Sequence, residues 1–250
     1  MIGRTISVAL ALAMLAGPAQ ATGNPGAVCI AHRGNPTTHP EETIPTYDAA
    51  LSAGWTIDGD IRFTSTGYPM MLHDADLGLF GAPTVALDSV SQTVAQSYHS
   101  ASGDAVESLN SVKAQMTTYT GTFGEFELKV NPTSAEWTIF NTRLGGLKDR
   151  VLITSFDVPT VREAQDQGYR TAVLVSTDTS ATTAGLVDEN APAITGAHVA
   201  AMQSVGVETE AWWLSTDTTD NPTGWDALYA AGVRRFNTDD NAGCLTWAAP

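Results

Sequence analysis

Residues 27–34 read Ala-Val-Cys-Ile-Ala-His-Arg-Gly, an apolar run that stops at a histidine, an arginine and a glycine. The run is short and bounded by polar residues, so it reads as a buried strand over Ala27–His32. An open, doubly wound α/β sheet usually carries a glycine-rich phosphate turn after its first strand. His32-Arg33-Gly34 is not that turn. The same pattern of short apolar runs and longer amphipathic stretches continues outward from this segment. Strands are expected over Trp55–Phe63, Met70–His73, Gly124–Val130, Val151–Thr154, Thr171–Val175, Thr209–Leu214 and Arg234–Thr238. Helices are expected over Thr43–Ala53, near Ser108–Tyr119, and over Ser134–Leu147, Val158–Gln167, His198–Val205 and Gly224–Ala231. Strands alternating with helical sequence through the chain predict a (β/α)8 TIM barrel, α/β in class and a single domain over residues 22–250. The Thr/Asp-rich segments Ser176–Thr183 and Ser215–Thr223 read as surface loops, and no linker or repeat interrupts the pattern.

Composition narrows the function. Of 250 residues, 27 are acidic and 12 basic, a formal charge of −15, and 43% are hydrophobic against 16% charged. This is globular composition, and its acidity excludes the basic stripe that a nucleic-acid binder needs. It equally disfavours docking on anionic lipid, so any phosphate site must gather positive charge locally. At the amino end, Arg4 precedes an apolar run over Ile6–Ala16, and Ala19-Gln20-Ala21 supplies small residues for cleavage. Residues 1–21 read as a secretory signal peptide, since the run is too short to span a bilayer. A secreted protein without stable membrane anchoring is expected.

Reactive groups of such a barrel collect at the carboxyl ends of its strands. Here those ends carry His32-Arg33, His73-Asp74, the pair Asp58 and Asp60, and the pair Glu127 and Lys129. Strand alternation puts Asp58 with Asp60 on one face and Glu127 with Lys129 on one face, with Ile57, Ile61, Phe126, Leu128 and Val130 packing outward. Three carboxylates at one barrel mouth repel unless a counterion joins them, and their hard oxygens suit Mg2+ or Ca2+. No Cys/His cluster with zinc spacing is present.

These segments resemble the glycerophosphodiester phosphodiesterase family. The resemblance rests on His32-Arg33-Gly34, Pro40-Glu41-Glu42-Thr43, Asp58-Gly59-Asp60, Thr64, Thr66-Gly67, His73-Asp74, Glu127-Leu128-Lys129, Ser155-Phe156, Trp212 and Gly232-Val233 with Thr238-Asp239, in the family's order. It implies a metal-dependent hydrolase that releases glycerol 3-phosphate and an alcohol. A small-molecule phosphodiester is the partner, and a monomer is expected. The implied roles are His32 and His73 as acid and base and Asp58, Asp60 and Glu127 as metal ligands. Arg33 and Lys129 hold phosphate, with Lys129 also counted among the catalytic groups, Glu41 positions the substrate, and Trp212 is a pocket wall or core. The chain departs from the family at Asp58, where the family has Glu, at Glu42 for Asn, and at Thr66 for Asp. Two other readings remain: phospholipase D-like action on lysophospholipid or sphingolipid head groups, and a non-catalytic binding barrel. His39, His99 and His198 read as structural. In a closed barrel the first and last strands are neighbours, so a Cys29–Cys244 disulfide would tie the chain ends; two unpaired thiols are the alternative.

Overall fold

The structure, a computed structural model, describes residues 23–176, 186–214 and 216–249. The predicted leader and most of the Ser176–Thr183 loop lie outside the described residues. Eight parallel strands form a closed barrel: β1 (Val28–Ala31), β2 (Thr56–Phe63), β3 (Gly124–Leu128), β4 (Val151–Ser155), β5 (Arg170–Val175), β6 (Leu186–Asn190), β7 (Glu208–Trp212) and β8 (Arg235–Thr238). Each pairs with the next, and β8 closes on β1 with Cys29 opposite Phe236 and Ala31 opposite Thr238. Outside them pack α1 (Ile44–Ser52), α2 (Leu109–Thr118), α3 (Ser134–Leu144), α4 (Val158–Asp166), α5 (Gly196–Ser204), α6 (Pro222–Ala231) and α7 (Asn241–Ala248).

The helix ends follow local chemistry. Thr133 and Glu136 form a reciprocal capping box at the start of α3, and Asn221 caps α6 by accepting from the backbone of Thr223 and Gly224. The α6 start therefore takes Pro222 and Thr223 out of the expected loop. Gly145, at φ 57, ends α3 at Leu144 rather than Leu147. Alternation sorts the strands as expected: Ile57, Ile61, Phe126 and Leu128 join Tyr47 of α1, Met116 of α2 and Trp137 of α3 in one outer core. Val130 does not pack outward; it lies beyond β3 and is exposed.

Two strand expectations also fail. The segment expected as a third stave, Met70–His73, is instead Pro69–Met71, antiparallel to β2 with Met71 opposite Ile61. Only residues 64–68 separate it from Phe63, too few for a parallel crossover, which needs a dozen or more. It also pairs with Glu107–Ser108, inside a β2–α2 insertion that has its own small core of Met70, Leu77, Phe80 and Val106. The true stave missing from the sequence reading is β6, Leu-Val-Asp-Glu-Asn. Its acidic residues hide any apolar period: Asp188 is buried, and Glu189, also buried, bonds His198 of α5.

Cys29 and Cys244 are bonded, with Cα atoms 6.0 Å apart, so the first stave is tied to the last helix.

Candidate active site

The β1–α1 connection places the first groups. Arg33, Asn35 and Glu42 all adopt positive φ, at 48°, 59° and 60°, a conformation that costs non-glycine residues of order 1–3 kcal/mol each. The bend lets the Arg33 backbone N–H donate to Asp58 Oδ2 at 3.3 Å. It also turns the guanidinium back, so that Nη1 bonds both oxygens of Glu41 at 3.0 and 3.1 Å while Nε lies 3.1 Å from Asp60 Oδ2. Glu42 is buried and accepts from the Asp60 backbone N–H. Between Asp58 and Asp60, Gly59 faces outward against Tyr47, whose hydroxyl lies 2.3 Å from where a Cβ would stand, so any side chain there forces its neighbours to move.

A cavity of about 610 Å3 opens at the carboxyl ends of the staves, and all nine residues expected to act on substrate or metal line it: His32, Arg33, Glu41, Asp58 and Asp60, with His73, Glu127, Lys129 and Trp212. Their supports differ from the expected ones. His32 follows β1 directly, whereas His73 does not end a barrel stave. It comes two residues after the antiparallel strand and is held by Arg62 Nε donating to its carbonyl at 2.8 Å. Lys129 lies one residue past β3, its backbone N–H bonded to the Ile61 carbonyl. Its Nζ reaches Glu127 Oε2 at 3.0 Å and Asp60 Oδ1 at 3.4 Å. Trp212 meets Phe156 edge-to-face with centroids 5.9 Å apart, and both rings line the cavity. Trp213 packs in the outer core and donates to Thr219.

The sequence reading did not assign a role to Asp239, the last residue of the closing motif. His32 Nδ1 contacts Asp239 Oδ1 at 2.6 Å, and the Asp239 backbone N–H donates to Asp220. The corresponding contact of His73 is Asp74, at 2.9 Å. No local signal links positions this far apart; only barrel closure brings β8 beside β1.

Electrostatics split groups of the same type. Burial lowers the His32 pKa, but the Asp239 bond and the Asp58 charge outweigh it, and the net shift is upward. Burial lowers that of His73, and the Asp60 charge does not compensate. Burial raises Asp58 to about 7, opposed by His32, and raises Glu127 to about 8 with help from the Asp60 charge. Asp60 goes the other way: burial is overcome by Lys129 and Arg33, which hold it ionised.

The donor set fits a hard divalent cation in part. Asp60 Oδ2 is buried and, beyond its 3.1 Å ion-pair contact with Arg33 Nε, has no hydrogen-bond partner among the described residues, and Asp60 and Glu127 share the Lys129 ammonium, a crowding of carboxylates that a cation relieves. Asp58, one methylene shorter than the family's Glu, instead takes the Arg33 amide. The described carboxylates whose oxygens converge within 4.8 Å are a different trio, Glu125, Asp188 and Glu210.

Comparison with known proteins agrees with this arrangement. The glycerophosphoryl diester phosphodiesterase family model matches residues 32–81. No curated protein matches the chain significantly. Among solved structures, one from Galdieria sulphuraria, provisionally named a glycerophosphodiester phosphodiesterase, superposes with TM-score 0.81 at 15% identity over 89% of this chain and 97% of its own. An Oleispira antarctica phosphodiesterase in complex with the product sn-glycerol-3-phosphate gives 0.75 at 17% identity, covering 88% and 96%. A Parabacteroides distasonis glycerophosphodiester phosphodiesterase gives 0.72 at 17%, again covering 88% and 96%. At such identities the structures speak for the fold; the family match spans the stretch that supplies His32, Arg33, Asp58, Asp60 and His73. Residues 32–81 match the glycerophosphoryl diester phosphodiesterase family model, and the chain as a whole shares the barrel fold of these solved structures.

Proposed function

We propose that the chain is an exported, metal-dependent glycerophosphodiesterase that releases glycerol 3-phosphate and an alcohol. The observation that carries this reading is that two differently tuned imidazoles, His32 and His73, line one cavity together with Arg33 and Lys129. Arg33 and Lys129 bind the phosphate oxygens, the first as a planar fork steadied by Glu41 and the second as a point charge. His73, its pKa lowered, takes the proton from a glycerol hydroxyl as that oxygen attacks phosphorus. His32, its pKa raised, gives a proton to the departing alcohol. Water then opens the cyclic phosphate with the two roles exchanged. Asp58, Asp60 and Glu127 would hold the divalent cation, which when bound supplies Lewis-acid stabilisation of charge on the phosphate. The disulfide accords with an oxidising compartment, where residues 1–21 would direct the chain. No helix among the described residues is long and apolar enough to cross a membrane.

The test is hydrolysis of a panel of glycerophosphodiesters, with and without chelator, alongside intact lysophospholipid and sphingomyelin. Chelator-sensitive release of glycerol 3-phosphate is expected. Attack confined to the intact lipids favours the phospholipase D-like reading, and no turnover of any substrate favours a binding barrel.

A further inference from the structure

A second group of charges lies inside the barrel beside the proposed reaction centre, Glu125 being paired in register with Asp58. Glu125 of β3, Asp188 of β6, Glu210 of β7 and Arg235 of β8 share the interior, since register pairs Asp188 with Glu210 and Glu210 with Arg235. The three acids are 1%, 1% and 0% exposed. Arg235 divides its fork between two of them: Nη2 donates to Glu125 Oε2 at 2.7 Å and Nε to Glu210 Oε2. That leaves Glu125 Oε1 and Glu210 Oε1 buried with no hydrogen-bond partner among the described residues. Asp188 Oδ1 is equally sealed and unpartnered, and it belongs to no arrangement the guanidinium already explains. One carboxylate oxygen from each acid lies within 4.8 Å of the other two.

Three buried carboxylates facing one guanidinium need further compensation. A proton shared between Glu125 and Glu210 would still leave the Asp188 carboxyl unanswered. A cation engages oxygens from all three at once. Their hardness selects an alkaline-earth ion, whose coordination sphere spans such oxygen separations. Asp188 also lines the active-site cavity, which gives the ion a route in and water to complete its shell. We propose that Glu125, Asp188 and Glu210 bind a structural divalent cation, Mg2+ or Ca2+, distinct from the one at Asp58, Asp60 and Glu127. It ties β3, β6 and β7 across the barrel axis. The proposal does not depend on the phosphodiesterase reading.

The experiment uses an Asp60→Asn protein, so that the first centre is disabled. It is stripped with chelator, equilibrated with Mg2+ or Ca2+, desalted and analysed by metal mass spectrometry and thermal unfolding. Asp60→Asn should retain about one equivalent of cation and gain Tm when it is added, because an ion that binds only the folded state stabilises it. The Asp60→Asn/Asp188→Asn protein should retain none, bind at least tenfold more weakly in calorimetry, and show no Tm gain. Asp188→Asn is isosteric and removes a buried charge, so in chelator the double variant should unfold no earlier than its parent. That control separates lost binding from lost folding. Equal cation content in the two proteins, or none in either, overturns the proposal.

Discussion

At the scale of single residues, two histidines that each contact a carboxylate through Nδ1 are tuned in opposite directions by burial and by the charges around them. His32 as acid must be protonated and His73 as base must be neutral. Activity therefore falls above the raised His32 pKa and below the lowered His73 pKa, with a plateau around the ordinary histidine value. Asp239→Asn keeps an acceptor for His32 Nδ1 but removes the charge that strengthens the bond and helps to raise His32. Its pH–kcat/KM profile should show the alkaline limb moved to lower pH and the acid limb in place. An unmoved alkaline limb removes Asp239 from the account. Glu42 offers a second residue-level outcome. Burial, then the Asp60 charge, raises its pKa well above the ordinary value, so the folded chain keeps a proton that the unfolded chain gives up. Its contribution to stability therefore declines as pH rises above the ordinary carboxyl range. Glu42→Gln retains an acceptor for the Asp60 amide and removes that slope. Its Tm should match the parent near pH 4 and exceed it by roughly 2–4 °C at pH 8, the shift of about 1 kcal/mol at this chain length. A Tm difference that does not vary with pH contradicts the buried-acid account.

At the scale of elements, the site rests on β2 being pressed between α1 and the antiparallel strand. A Cβ on Gly59 would stand 2.3 Å from the Tyr47 hydroxyl and 2.6 Å from Met71 Cε. Gly59→Ala should therefore lower stability by about 1–3 kcal/mol. Because Met71 leads to His73, activity should fall even where the protein remains folded; denaturant unfolding with kcat measured in native buffer checks both. Most of this element was legible beforehand. Alternation alone put Asp58, Asp60 and Glu127 inward and Ile57, Ile61 and Phe126 outward. What was hidden had physical reasons. Met70–His73 has the composition of a stave, and only the shortness of the preceding turn marks it as antiparallel. β6 carries Asp188 and Glu189, whose charges erase the apolar run by which buried strands are recognised. In β3, the pattern Glu125-Phe126-Glu127 placed Glu125 on the same face as Glu127, so the interior cluster had a visible signal in the sequence.

At the scale of the whole molecule, closure of the barrel makes both the site and its stability. β8 beside β1 brings Asp239 to His32, and the same closure brings Cys244 to Cys29 across a sequence separation of 215. A cross-link closing so long a loop stabilises by about 5 kcal/mol in the chain-entropy model. The Cys29→Ala/Cys244→Ala protein should lose most of that, read as a lower denaturant midpoint, while an unchanged midpoint would show that strand pairing alone holds the ends. The central claim is narrower: that His32 and His73 together cut a phosphate diester. The most direct measurement is the initial rate of glycerol 3-phosphate release from a glycerophosphodiester by the parent, His32→Ala and His73→Ala proteins at one pH with saturating cation. Each single variant should be slower by about 10²–10⁴-fold, the usual weight of a positioned proton-transfer group. A rate in either variant equal to the parent's would contradict the account.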